Sequence, residues 1–213
     1  MSFLNLPTRY PGLYWTAAYI GAYIPKSRIY VECFAGLART AKYSKSEIMV
    51  LNDKSKVSNN YCQKKFQNAI VENMDFEKTL KKYDGFDTFF LIDPPWRISY
   101  YNGNKKIRTP NKSLQHRNPK AIDGGFIDKT AREYAIKLKE ILPELKGTWI
   151  LTLGPSFHTH FEEYYKTSVK ALKPHLFGHY PKTWLFSNKP LKIQIPQITD
   201  YLSSKSCLEK SRL

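Results

Sequence analysis

The stretch Asp87-Thr88-Phe89-Phe90-Leu91-Ile92-Asp93-Pro94-Pro95-Trp96 decides how this chain folds. Its apolar part is nearly continuous rather than alternating, which predicts a central parallel strand covered on both faces. An acid stands where the strand ends, and two prolines come after it. Proline fixes φ and has no N–H, so the carbonyls of this turn remain free as acceptors. A carboxylate and a neighbouring carbonyl can together accept both hydrogens of an exocyclic amine. The nitrogen lone pair is then drawn out of the ring π system and can attack an electrophile. Trp96 beside them offers a surface on which a base can stack. The plain alternative is a Pro-rich surface turn after a strand.

Outward from that strand, strand-like and helix-like segments alternate. Tyr14 to Ile24 suits a helix ending near Pro25. Arg28 to Phe34 reads as the first strand, followed by Ala35-Gly36 and a short helix to Tyr43. Glu47 to Leu51, Ala69 to Glu72 and Thr148 to Leu153 read as further strands, and Ser55 to Phe66 and Phe76 to Tyr83 as helices. Ile127 to Leu142 is an amphipathic helix stopped by Pro143, and a further helix is expected over Ser156 to Tyr165. Val169 to Gly178 and Thr183 to Ser187 read as two final strands. Such alternation means an α/β fold: a mostly parallel seven-stranded sheet with helices on both faces. We expect one domain over 1–213, with a basic mobile loop at 97–123 and a C-terminal tail at 189–213.

Composition bounds the partners. The chain has 213 residues, with 34 Lys+Arg against 18 Asp+Glu and a formal net charge of +16. Hydrophobic content of 42% supports a packed core and excludes a disordered or collagen-like chain. No apolar run approaches the ~18 residues of a membrane span. The N-terminus lacks the pattern of a secretory signal, so an intracellular, cytoplasmic protein without a membrane partner is expected. Cys33, Cys62 and Cys207 are too scattered for a disulfide framework or zinc site, and the histidines add no metal pattern. The charge excess points to a polyanion. It is concentrated between Arg97 and Ile122, where Arg97, Lys105, Lys106, Arg108, Lys112, Arg117 and Lys120 stand without an acid and are interleaved with Tyr100, Tyr101 and several amides. Such a segment can neutralise phosphates while its aromatic and amide groups reach bases, although a solvated basic loop has the same composition.

In open sheets of this kind ligands bind beyond the carboxyl ends of the strands. Glu32-Cys33-Phe34-Ala35-Gly36 comes after the first strand, Asn52-Asp53 after the second, Asp75 after the third and Asp93 after the fourth. Singly each has a structural explanation: Gly36 can serve a tight turn, and Asp53 and Asp75 can cap helices. Together, carboxylates at successive strand tips describe a pocket for a nucleoside, whose ribose hydroxyls and amino group need acceptors.

These motifs, in the order Arg9-Tyr10-Pro11-Gly12, Val31-Glu32-Cys33-Phe34-Ala35-Gly36, Asn52-Asp53 and Asp93-Pro94-Pro95-Trp96, resemble those of Dam-type DNA adenine-N6 methyltransferases dependent on S-adenosylmethionine. The resemblance implies a Rossmann-like methyltransferase fold. It implies that Tyr10, Gly12 and the Phe34-Ala35-Gly36 backbone hold the methionine part of the cofactor, while Glu32, at the end of the first strand, either hydrogen-bonds the motif backbone or the cofactor amine or serves a structural role. Asp53 would take the ribose hydroxyls, and Asp75 would lie near the adenine. Asp93, Pro94 and Pro95 would hold the target amine of a base flipped out of the duplex, with Trp96 stacked on it. Arg97, Tyr100, Lys105, Lys106, Arg108, Lys112 and Arg117 would contact the DNA, and a monomer and a homodimer fit equally. The chain departs from the family in three places. Leu13-Tyr14 stands where a Lys is usual, and Leu37-Ala38-Arg39 succeeds Gly36 without a second small residue. The third is spacing: Asp53 and Asp93 are only 93 − 53 = 40 residues apart, too close for a separate target-recognition region. Asp-Pro-Pro-Trp also fits RNA base methyltransferases acting on adenine-N6 or guanine-N2, and a nucleic-acid-binding homologue without catalysis is a further alternative.

Overall fold

In the computed structural model the described residues are 16–95, 100–102, 105–107, 129–153, 161–170 and 182–194. In chain order they form α1 (Ala17–Gly21), β1 (Ile29–Glu32), β2 (Ile48–Asn52), α2 (Lys56–Lys65), β3 (Ile70–Glu72), α3 (Phe76–Tyr83), β4 (Thr88–Ile92), β5 (Tyr100–Asn102), β6 (Lys105–Ile107), α4 (Lys129–Ile141), β7 (Thr148–Leu153), β8 (Tyr165–Lys170) and β9 (Lys182–Ser187). A seven-stranded sheet has the order β3-β2-β1-β4-β7-β9-β8. The first five strands are parallel to one another, whereas β9 runs antiparallel to both β7 and β8. This is a Rossmann-like α/β fold with a mostly parallel sheet.

The continuous apolar run at 88–92 has its expected consequence. All five residues of β4 are buried, and successive side chains serve opposite faces. Phe90 and Ile92 join Val31, Trp149 and Leu151 under α3 and α4, which contribute Leu80 and Leu138. Phe89 and Leu91 join Tyr30, Leu51 and Ile150 on the other face, against Ile20 of α1 and Cys62 of α2. The helix ends obey elementary chemistry. Ser55 accepts the Ser58 N–H at the start of α2, and Asp75 accepts the Glu77 N–H at the start of α3. Lys81 and Lys82 then complement the dipole at the last turn of α3. Pro143 ends α4 in a 3-10 turn over Leu142–Glu144.

Two expectations are corrected. Tyr165 begins β8 rather than ending a helix, and β8 runs over Tyr165–Lys170 instead of starting at Val169. Its Lys, Thr and Ser residues hide the strand, because an edge strand has only one neighbour and needs little apolar surface. Within the segment read as a loop at 97–123, β5 and β6 pair antiparallel, with Tyr100 opposite Ile107 and Asn102 opposite Lys105. The tail does run irregularly as far as it is described, tied back by the Gln194 N–H to the Ala22 carbonyl at 2.7 Å. Among the described residues no helix is long and apolar enough to cross a membrane.

At the foot of the sheet, the Asp84 carboxylate accepts the N–H groups of Lys146 and Gly147, joining the starts of β4 and β7. The backbone there is so close that a Cβ on Gly147 would stand 2.8 Å from Phe90 Cε2 and 2.9 Å from the Thr88 carbonyl oxygen. Gly147→Ala should therefore destabilise the protein by about 1–3 kcal/mol. In a urea titration the midpoint should fall while the slope is unchanged.

Candidate active site

The tips of β1, β2 and β3 are tied together by one buried amide. Asn52 Nδ2 donates to the Cys33 carbonyl (3.0 Å) and the Met74 carbonyl (3.2 Å), while its Oδ1 accepts the Met74 N–H (3.0 Å). The Asn52 carbonyl in turn accepts the Ala35 N–H at 2.8 Å. The loop after β1 is thus fixed against the end of β2. Its next residue, Gly36, has φ +51° and donates its N–H to Asp53 Oδ2 at 2.8 Å. The other oxygen of Asp53 accepts the Ser55 N–H at 2.7 Å, so the carboxylate plane is set by the backbone on both sides. A Cβ added to Gly36 would meet nothing within 4 Å, so the space above this turn is open. Phe34 packs on Phe76 (centroids 5.1 Å apart) and edge-on against Tyr134 (5.4 Å).

Glu32 lies beneath the loop at 3% exposure. Tyr30 Oη donates to its Oε2 and Thr40 Oγ1 to its Oε1, both at 2.9 Å. Burial outweighs these two bonds and pushes the carboxyl up to about 8, with the Asp93 and Asp53 charges adding in the same direction. It carries its proton at neutral pH. Burial likewise raises the Cys33 thiol far above its usual value and the Cys62 thiol to about 12, so neither is a nucleophilic thiolate.

Asp93 stands one residue beyond the end of β4. The parallel register pairs Ile92 with Leu151, so one step further brings Asp93 beside Thr152. The Thr152 hydroxyl donates to Asp93 Oδ1. Burial raises the Asp93 carboxyl to about 6, and the Thr152 hydrogen bond acts against that rise. Asp93 is therefore largely ionised at neutral pH. Pro94 is buried and Pro95 exposed, and neither has an N–H to offer the carboxylate.

Of the residues read from sequence, Glu32, Ala35, Gly36, Asp53 and Asp93 are thus joined at neighbouring strand tips. Asp75 is occupied otherwise: besides capping α3 it holds Lys54 Nζ at 2.6 Å. Burial works to raise its carboxyl, but Lys54 and the N–H at the α3 cap together pull it below the ordinary value. Tyr100, Lys105 and Lys106 lie on the β5–β6 hairpin. Tyr10, Gly12, Trp96, Arg97, Arg108, Lys112 and Arg117 lie outside the described residues. Sequence reading missed Asn52 as the brace, Thr40 and Tyr30 as partners of Glu32, and Thr152. Thr152 alone had a signal, as a polar residue at the end of the strand TWILTL. Among the described residues no cluster of three His, Cys, Asp or Glu could hold a metal ion.

No protein-family model and no curated protein matches the chain. Solved structures do. A "conserved hypothetical protein" from Streptococcus pyogenes is 13% identical, with a TM-score of 0.46 over 82% of this chain and 93% of that one. An rRNA methylase from Streptococcus thermophilus is 9% identical, with a TM-score of 0.44 over 82% and 94%. M. jannaschii TYW2 in complex with AdoMet is 14% identical, with a TM-score of 0.43 over 80% and 73%. At these values the strand order, not the likeness, defines the fold.

The raised Glu32 carboxyl fixes a pH dependence of stability. Its folded value near 8 exceeds the ordinary 4.5, so between those values the folded state binds more protons than the unfolded chain and stability falls as pH rises. Glu32→Gln, neutral at every pH, should escape this loss. Melting curves from pH 5 to 8 should show the variant gaining steadily on the wild type, with the difference levelling off above about pH 8.

Proposed function

We propose that the chain transfers a methyl group from S-adenosylmethionine to the exocyclic N6 amine of adenine in DNA, acting on a base flipped out of the duplex. The observation that carries this reading is Asp93, a half-buried carboxylate held by Thr152 at the tip of the central strand and followed by two prolines.

The residues present fit the cofactor. The left-handed turn at Gly36 leaves open space above the backbone, and Asp53 stands beside it with its plane already fixed. A carboxylate has about four acceptor positions, so Asp53 can still take the ribose hydroxyls. When bound, S-adenosylmethionine supplies an electrophilic methyl group on a sulfonium. The chain's own residues then act on the amine. Asp93, ionised above about pH 6, accepts one N–H and the Pro94 carbonyl the other. This holds the nitrogen lone pair out of conjugation with the ring. After transfer the nitrogen carries an acidic proton that water can remove, so no separate base is required. Trp96 stacks on the flipped base, and the basic segment from Arg97 to Arg117 neutralises the phosphates around it.

Labelled methyl transfer from S-adenosylmethionine to unmethylated duplex DNA, with matched RNA in parallel, tests this reading. Incorporation should map to adenine N6, and Asp93→Ala should lower it by at least about a hundredfold, as for loss of a transition-state acceptor. Incorporation into RNA alone would assign the substrate to RNA, which the Trp in Asp-Pro-Pro-Trp also accommodates. Cofactor bound without transfer to either polymer would overturn the catalytic reading. Replacing Lys105, Lys106 and Arg108 together by Ala should weaken DNA binding and make its salt dependence shallower, by up to about 0.9 in log–log slope per lost phosphate contact. An unchanged slope would remove this segment from the interface.

A further inference from the structure

Thr152 stands inside the sheet at 1% exposure, in a strand otherwise made of apolar residues and one other Thr. Valine has the same shape and suits a buried strand equally well. A hydroxyl there carries a desolvation cost unless it is hydrogen-bonded. Its single proton goes to Asp93 Oδ1. The bond joins two adjacent central strands whose register is locked by four residue pairs from Phe89–Thr148 to Ile92–Leu151. A site held on strands is placed more accurately than one held on loops.

We propose that Thr152 is the positioning residue of the reaction, fixing Asp93 so that Oδ1 is satisfied within the protein and Oδ2 is left as the acceptor for the substrate amine. The inference rests on the reading of Asp93 as amine acceptor but concerns a residue outside the motif. A hydroxyl that can rotate also sets the charge state. By donating to Asp93, Thr152 favours the carboxylate over the acid. The groups facing Asp93 leave this task to it. From β1 comes Glu32, whose own ionisation is opposed by the Asp93 charge, and Asp53 beyond it is also acidic. Among the described residues no cation contributes to the ionisation of Asp93, and the Thr152 hydrogen bond is the one influence that lowers it.

The test uses the full chain and two variants, Thr152→Val and Thr152→Ser, with the Asp93 carboxyl followed by carbon-13 NMR between pH 4 and 8. In Thr152→Val the Asp93 titration should move up from about 6 by about one pH unit, the effect of losing one hydrogen bond to a charged group. Thr152→Ser, which keeps the donor, should restore it. The acid limb of methyl transfer should move in parallel. The deficit of Thr152→Val in kcat should be larger at pH 6 than at pH 8, with KM for the cofactor unchanged. An Asp93 titration unmoved by Thr152→Val would overturn the proposal, as would a Thr152→Ser variant that behaves like Val. Should the Val variant not fold, Thr152→Ala removes the same donor and carries the same comparison. The titration does not depend on turnover. A shifted Asp93 in a protein that transfers no methyl would retain the role of Thr152 in holding Asp93 and overturn the proposed function alone.

Discussion

The loops at the tip of the sheet depend on the side chain of Asn52. Three parallel strands end side by side there, and each leaves backbone groups without ladder partners. An amide is the side chain that can both donate and accept at such a junction. Asn52 does so at 1% exposure, donating to the loops after β1 and β3 and accepting from the latter. A carboxylate could not donate, and a leucine of similar size would leave the Cys33 and Met74 groups buried and unpaired. With the loop after β1 fixed, the Ala35 N–H meets the Asn52 carbonyl and the Gly36 N–H meets Asp53. The carboxylate of Asp53 is thus oriented by a residue one position away that never touches the open space itself.

The charge distribution at this tip runs against the rest of the molecule. A chain of net charge +16 gathers Glu32, Asp53 and Asp93 at neighbouring strand ends, and the hydrogen bonds they accept come from backbone N–H groups and hydroxyls. Cations pair with acids further out, Lys54 with Asp75, Lys82 with Glu72 and Arg28 with Asp87. The Asp93 and Asp53 charges add to the effect of burial in raising the affinity of Glu32 for its proton. Such a cluster is stabilised by whatever brings donors or positive charge into it. An exocyclic amine and a sulfonium both do, which is why the electrostatics and the proposed chemistry agree.

Much of the architecture was legible because burial writes itself into sequence. The run at 88–92 is apolar on both alternating faces, so it had to be central, and Asp93 had to stand at its tip. Asp75 was legible as a cap for the same reason that it is occupied: Asp before Phe76-Glu77 is helix-start chemistry. The features that escaped depend on contacts between distant segments. Thr152 meets Asp93 only because β7, 59 residues later, is the strand beside β4. Thr40 reaches Glu32 through a turn whose shape depends on Ala38, itself at φ +45°. β8 and the β5–β6 hairpin were hidden differently, since their lysines and small polar residues lack the apolar alternation that marks a strand with a buried face.

The close spacing of Asp53 and Asp93 constrains where substrate selection can reside. The stretch between them is used up by α2, β3, α3 and β4, all of which build the sheet and its helical cover. On the proposed reading, a base entering beside Asp93 must therefore be recognised by residues C-terminal to the Asp-Pro-Pro turn. The chain after Pro95 carries a basic run without an acid from Arg97 to Ile122, and β5 and β6 give part of that run a paired backbone outside the main sheet. The hairpin begins at Tyr100, 100 − 93 = 7 positions after Asp93. Thr152 and the β4–β7 register hold Asp93 itself in place independently of that hairpin. On the proposed reading, selection would fall to this two-stranded element and chemistry to the strand tip that carries Asp93.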